Sequence, residues 1–337
     1  MKRRLFSLLL ILCLLTGMGA YAEESAEQQT YALIVKDMSN PYMQYMAEGF
    51  ENACTEIGAQ SVVIGPGDAN MIDQTSYARQ LVERSVDAIV IAVNDSESIS
   101  PTLQEALQNG IPVISIDSAA EPEDRMLHIQ QASPEIIGRV LIQAAYEMLS
   151  GSGSVAIIST TRTTPNQSLW LSWMEAEMAD YPEKYRDMTI VETLYGQDDY
   201  ATSARVTRRL LDRYPDLDMI ISPTVVGIKA AADVIAEEGT DVKVTGLGLP
   251  SDMAQYIRSG ICPWMYLWNP IDMGYIAAYA AYALAQGTTD GTPGDMIDAG
   301  SFGQKLITRS TDGGSEIVVG NPYQFDTTNI AIWEDMF

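Results

Sequence analysis

The chain has 337 residues, of which 20 are Lys or Arg and 45 are Asp or Glu, giving a formal net charge of −25 at pH 7. So acidic a surface repels nucleic acid and anionic lipid head groups, and it excludes both as partners. The 47% hydrophobic content is ample for a packed core, so the charge is no mark of disorder, and the length predicts two lobes.

The first segment reads as an export signal over residues 1–22. Lys2, Arg3 and Arg4 are basic, Leu5 to Leu15 are apolar, and Ala20-Tyr21-Ala22 fits an A-x-A cleavage site. The apolar stretch is short for a membrane span. Leu12 before Cys13 is larger than a lipidation site expects, so the expected location is periplasmic or extracellular, without a lipid anchor. Cleavage removes three cations and no acids, leaving 315 residues with 17 basic against 45 acidic and a net charge of −28.

Apolar runs that read as strands follow at Ala32–Val35, Ser61–Ile64, Ala88–Val93, Val113–Ile116, Val155–Ile158, Met219–Ile221 and Val242–Leu247. Amphipathic helical stretches alternate with them. Ser100-Pro101 opens one that Gly110 closes, Ser133-Pro134 opens one that ends near Gly151, and Ser251 and Gly260 bracket a third. Short, nearly all-apolar strands between helices predict an α/β chain with parallel sheets covered on both faces. About half of the strand–helix units precede residue 132, which predicts two similar lobes. Cys54 and Cys262 are expected to be buried free thiols, being too few for a disulfide framework. The one histidine, His128 in the strand-like "MLHIQQ", is expected to be structural. Without a second histidine or a cysteine cluster, transition-metal sites and Ser-His-Asp chemistry have little support, and no cofactor or metal is expected.

In open α/β sheets ligands bind outside the carboxyl ends of the strands. Here those ends carry Lys36, Asp37, Ser39, Asn40 and Tyr42; Asn94-Asp95; Asp117-Ser118; Gln130-Gln131; Arg162, Asn166 and Gln167; Ser222-Pro223-Thr224; and Asn269 after "WMYLW". Carboxylates and amides pair with hydroxyls, cations donate to ring or carbonyl oxygens, and aromatic faces such as Tyr42, Trp170 and Trp268 cover apolar C–H patches, so the mixture suits a polyol. Each residue singly fits a cap or a turn equally well. The series, with Asp117 and the Lys36-Asp37 pair in it, favours a ligand. "SGSGS" precedes a strand and reads as a turn. Asp198-Asp199 reads as a helix cap in preference to a calcium pair.

"VKDMSNPY", "VDAIVIAV", "IPVISIDS", "HIQQAS", "TTPNQSLW", "YPDLDMIISP" and "YLWN", in that order, make the chain resemble the type I periplasmic sugar-binding proteins of ABC transporters, from about Tyr31 to the C-terminus. Within that family it resembles the branch that binds rhamnose or the signal autoinducer-2. The resemblance implies two Rossmann-like lobes hinged by three crossovers, one of residues 31–131 plus about 269–305 and the other of 132–268 plus about 306–337. It also implies ligand positions at Lys36, Asp117, Asn166, Gln167, Pro223 and Val225. Asn166 stands where autoinducer-2 binders carry an acid, which leaves rhamnose or another deoxy or pentose sugar more open. Ser118 stands where ribose binders carry an arginine. The expected function is therefore capture of a small sugar for an ABC permease by a monomeric binder that does no chemistry. Asp117 would accept hydroxyls, Lys36 would donate, Asn166 and Gln167 would close over the ligand, and Tyr42 and Trp268 would wall it. The rivals are a receptor module for autoinducer-2 or another signal, and a secreted glycoside hydrolase using a carboxylate pair such as Asp37 with Asp117.

Overall fold

The computed structural model describes residues 28–67 and 71–337; the expected export signal, its cleavage site and Cys13 lie outside them. The first half of the chain runs β1 (Thr30–Ile34), α1 (Pro41–Ile57), β2 (Gln60–Ile64), α2 (Met71–Glu83), β3 (Ala88–Ile91), α3 (Ser96–Gln108), β4 (Val113–Ile116) and β5 (Leu127–Gln130). The second runs α4 (Pro134–Met148), β6 (Gly153–Ser159), α5 (Pro165–Asp180), β7 (Met188–Tyr195), α6 (Tyr200–Arg213), β8 (Met219–Ser222), α7 (Val225–Glu238), β9 (Lys243–Gly246), α8 (Pro250–Ser259) and β10 (Trp264–Leu267). There follow α9 (Pro270–Ala285), β11 (Met296–Asp298), β12 (Gln304–Leu306), β13 (Thr308–Arg309), β14 (Ser315–Val318), β15 (Tyr323–Asp326) and α10 (Ile330–Trp333).

Among the described residues two large sheets form, one per lobe, beside the two-stranded pairs β10–β15 and β11–β12. The N-terminal lobe has the order β13-β14-β5-β4-β3-β1-β2, parallel except for β13, and the C-terminal lobe has β7-β6-β8-β9, all parallel. A bridge from Leu247 to Tyr266 attaches the β10–β15 pair to the second sheet. The all-buried sequences of β3 and β4 follow from burial on both faces. Successive residues point to opposite sides, so Leu33 and Val90 join one core while Ala32, Ile34, Ile89 and Ile91 join another.

Helix punctuation matches the sequence in part. Ser133-Pro134 begins α4, and Gly110 and Gly260 adopt positive φ just past α3 and at the end of α8. The expected start of α3 at Ser100-Pro101 is corrected. Asp95 is the N-cap, its carboxylate accepting from Ser98 N at 2.9 Å, and Pro101 lies inside the helix.

The chain crosses between lobes at 131–133, at Trp268-Asn269 and at 319–322. The third crossing was expected near 305. It comes later because β14 stays in the first sheet, pairing in parallel with β5 through Glu316–His128 to Val318–Gln130. Helices α1 and α9 pack closely where they cross, since a Cβ on Gly274 would meet the Met46 carbonyl and one on Gly49 the Ile271 carbonyl. That contact helps set the start of α1 beside the second crossover. Among the described residues, no helix is long and apolar enough to cross a membrane, and Cys54 and Cys262 are buried free thiols.

His128 is buried, with Nδ1 paired to Ser115 Oγ at 2.8 Å and Nε2 to Gln130 Oε1 at 2.9 Å. Burial, reinforced by the Arg125 charge, lowers its pKa from 6.5 to about 3. The unfolded chain binds a proton here below about pH 6.5, whereas the folded one does so only near 3. The site therefore contributes nothing to the pH dependence of stability above 6.5 and lowers stability as pH falls below it, by about 2 kcal/mol at pH 5. Urea unfolding at pH 7.5 and 5.0 is expected to show a stability gap about 2 kcal/mol smaller in His128→Gln than in the parent. An equal gap in both would contradict the assignment.

Candidate ligand-binding site

Strand β1 carries the chain out to Lys36, whose ammonium is buried. A buried ammonium requires a counter-charge and further hydrogen bonds. Asp117, at the end of β4, supplies the charge, with Lys36 Nζ donating to its Oδ2 at 2.6 Å. Asp117 is held at φ 61°, a left-handed conformation that aspartate tolerates at a cost of about 1–2 kcal/mol. Asn94, at the end of β3, donates to the Lys36 carbonyl at 3.1 Å, tying the neighbouring strand ends together.

The opposite lobe answers through α5. Pro165 sits in its first turn, and Asn166, Gln167 and Trp170 are buried on it. Asn166 reaches across the lobes, its Nδ2 donating to Asp117 Oδ2 at 3.1 Å and its Oδ1 accepting from Lys36 Nζ at 3.4 Å. An amide is complementary to both members of the ion pair, whereas an aspartate there would set a second carboxylate against Asp117. Gln167 is fixed within its own lobe, donating to the Pro223 carbonyl at 2.7 Å and accepting from Ser159 Oγ at 2.8 Å.

An aromatic wall runs along the second crossover. Trp268 Nε1 donates to Tyr42 OH at 2.6 Å, and Trp268 meets Tyr42 and Trp170 edge to face at 6.4 and 5.9 Å. Tyr42 OH lies 3.4 Å from Asp117 Oδ1. Burial, then the Asp117 charge, raises the phenol well above its ordinary pKa, so it remains protonated. Together these groups line a narrow, part-open cavity of about 50 Å³ between the lobes, completed by Met43, Pro223, Val225, Leu247 and Leu267. Its lining mixes charged and amide groups, threonine hydroxyls, and aromatic and aliphatic side chains.

Of the residues expected at the site, Lys36, Asn40, Tyr42, Asn94, Asp117, Asn166, Gln167, Pro223, Val225 and Trp268 line this cavity. Four do not. Asp37 accepts from Ser39 N and Oγ, both at 2.7 Å, in a local turn, so the carboxylate pair with Asp117 is not formed in the cavity. Arg162 is exposed and lies over the Tyr195 ring at 4.4 Å. Gln131 is buried in the first crossover, and Asn269 caps α9 by accepting from Ile271 N at 2.9 Å.

Thr160 and Asp198 also line the cavity, as does Trp170, which the sequence offers as an aromatic face near the strand ends. Of the Asp198-Asp199 pair that the sequence predicts as a cap, Asp199 alone caps α6, accepting from Thr202 N at 2.7 Å. Asp198 instead accepts from Asn40 Nδ2 of the other lobe at 2.9 Å and from Thr224 Oγ1 at 2.5 Å. Burial raises its pKa against the opposing effects of Thr224, Lys36 and Asn40. The signal that would have revealed it is strand β7, which ends just before it and was not recognised.

A periplasmic binding protein domain model matches residues 31–289. The chain belongs to the periplasmic binding protein family. It is similar to an ABC transporter solute-binding protein of Clostridium phytofermentas solved with bound L-rhamnose, at 38% identity and a TM-score of 0.89, over 92% of this chain and 99% of that one. It is also similar to a sugar ABC transporter structure from Actinomyces odontolyticus, at 35% identity and a TM-score of 0.71, over 90% and 97%. The D-ribose/D-allose-binding protein of Pseudomonas aeruginosa is 26% identical over 243 residues, 68% of this chain and 73% of that protein.

In this family member, truncating one partner of the ion pair strands the other. Asp117→Ala is expected to lower stability in urea by about 3–5 kcal/mol without added ligand, and Lys36→Met/Asp117→Leu to recover most of that loss. A double variant as unstable as the single one would contradict the buried-charge account.

Proposed function

We propose that the protein is an exported solute-binding protein that captures a small deoxy or pentose sugar, L-rhamnose foremost, and delivers it to the permease of an ABC importer. The mixed lining of the cavity carries this reading: Lys36, Asp117, Asn166 and Asp198 offer charged and amide groups, and Tyr42, Trp170 and Trp268 offer aromatic faces. A sugar ring with hydroxyls toward the polar groups and C–H or methyl faces toward the rings matches both. An extra hydroxyl against Met43, Leu247 or Leu267, left without a partner, costs about 1–3 kcal/mol, which favours a deoxysugar over its parent hexose. The solved relative with bound L-rhamnose supports the same class. Asn166 is neutral, which supports a ligand other than one that needs a carboxylate at that position.

Capture follows from the lobe contacts. Lys36 and Asp117 belong to one lobe and Asn166 to the other, so a ligand bonded to all three stabilises the closed arrangement by the contacts it makes only there. With Asp37 outside the cavity, the rival reading loses its named pair of Asp37 with Asp117.

The test is thermal unfolding of the mature chain with L-rhamnose, autoinducer-2, ribose, xylose, galactose and no ligand. A sugar at 100 times its dissociation constant adds about 2.7 kcal/mol, seen as a shift of several degrees. L-rhamnose is expected to give the largest shift, and Asn166→Leu to abolish it. No shift with any sugar would contradict the proposal.

A further inference from the structure

A buried hydrogen-bonding atom without a partner costs about 1–3 kcal/mol, and proteins rarely keep one without use for it. Two side chains that line the cavity carry such atoms, Trp170 at Nε1 and Thr160 at Oγ1. Among the described residues, no other cavity-lining side chain has a buried polar atom left unpaired. Both belong to the C-terminal lobe: Thr160 directly follows β6, and Trp170 stands one helical turn after Asn166 on α5. They are 6% and 2% exposed, so bulk solvent does not satisfy them.

The two tryptophans of the wall differ in this respect. The Trp268 N–H is engaged by Tyr42 OH at 2.6 Å, whereas the Trp170 N–H has no acceptor. An indole N–H only donates, and a threonine hydroxyl both donates and accepts. We infer that oxygens of the bound sugar pair with Trp170 Nε1 and Thr160 Oγ1, which makes these two residues specificity determinants in the C-terminal lobe. The inference rests on the sugar reading and narrows it. The ligand must present an acceptor oxygen to the Trp170 wall in addition to the hydroxyls facing Lys36 and Asp117, so it is polar along two edges. A site built to hydrogen-bond a particular oxygen rejects analogues that lack it.

Thr160→Val removes the hydroxyl and little else, and Trp170→Phe removes the N–H while keeping an aromatic ring. Calorimetric titration with L-rhamnose, or with whichever sugar of the panel gives the largest thermal shift, is expected to show binding weakened roughly 10-fold in each variant. The ligand-free melting temperature of Thr160→Val is expected to be unchanged or raised, because its hydroxyl has no partner within the protein. Monodeoxy analogues and the ring-carba analogue of the sugar locate the contact: the one that lacks the oxygen held by Trp170 binds the parent more weakly and loses nothing further in Trp170→Phe. Unchanged affinity in both variants, or losses that add for every analogue, would overturn the inference. If no sugar binds the parent, the sugar reading fails separately. A lowered ligand-free melting temperature of Thr160→Val then overturns the inference as well, and an unchanged or raised one supports an orphan hydroxyl awaiting another ligand.

Discussion

The structure depends on one costly placement: the charge of Lys36 buried at the end of a central strand. An ammonium removed from water persists as a charge only when an opposite charge and further acceptors surround it. β4 therefore ends in Asp117, in a backbone conformation that non-glycine residues seldom adopt, and α5 delivers Asn166 from the other lobe. Breaking the junction between the lobes would return part of that charge to solvent and leave Asp117 with fewer donors. Closure and the electrostatics of the strand ends are thus one problem.

The second junction is of a different kind. Asn40 is both the N-cap of α1, accepting from Tyr42 N at 3.0 Å, and the donor to Asp198 across the cleft. The helix start that places Tyr42 over Asp117 is thereby fixed by a residue that also touches the far lobe. Trp268 completes the arrangement from the crossover, bonded to Tyr42 on one side and packed against Trp170 on the other. The proposed sugar would rest against a floor built from both lobes and the hinge between them.

Much of this was legible in the sequence because the physics is local. Runs such as "AIVI" and "VISI" announce strands buried on two faces, and Ser133-Pro134 and Gly260 announce helix ends. Polar residues at successive strand ends pointed to a cleft, and Lys36, Asp117 and Asn166 among them line the cavity. What stayed hidden depends on direction and on distant pairing. Asp37 and Asn40 both follow β1, yet one closes its own turn and the other crosses the cleft. Asp198 and Asp199 are adjacent but face different tasks, which only the left-handed backbone at Gln197 and Asp198 decides. The late crossing into β15 was missed because β13 and β14 are short, partly exposed strands whose membership in the first sheet rests on pairing with β5.

The central claim is that a sugar stabilises the closed arrangement by bridging Lys36 and Asp117 of one lobe to Asn166 of the other. An interlobe distance measurement by pulsed electron resonance tests it most directly, with spin labels on cysteines introduced at exposed Glu97 and Asp212 while the buried native thiols stay unlabelled. The account predicts that L-rhamnose shortens and narrows the distance distribution in the parent and leaves Asn166→Leu unchanged. Sugar binding with no change of distance in the parent, or full closure by sugar in Asn166→Leu, would contradict it.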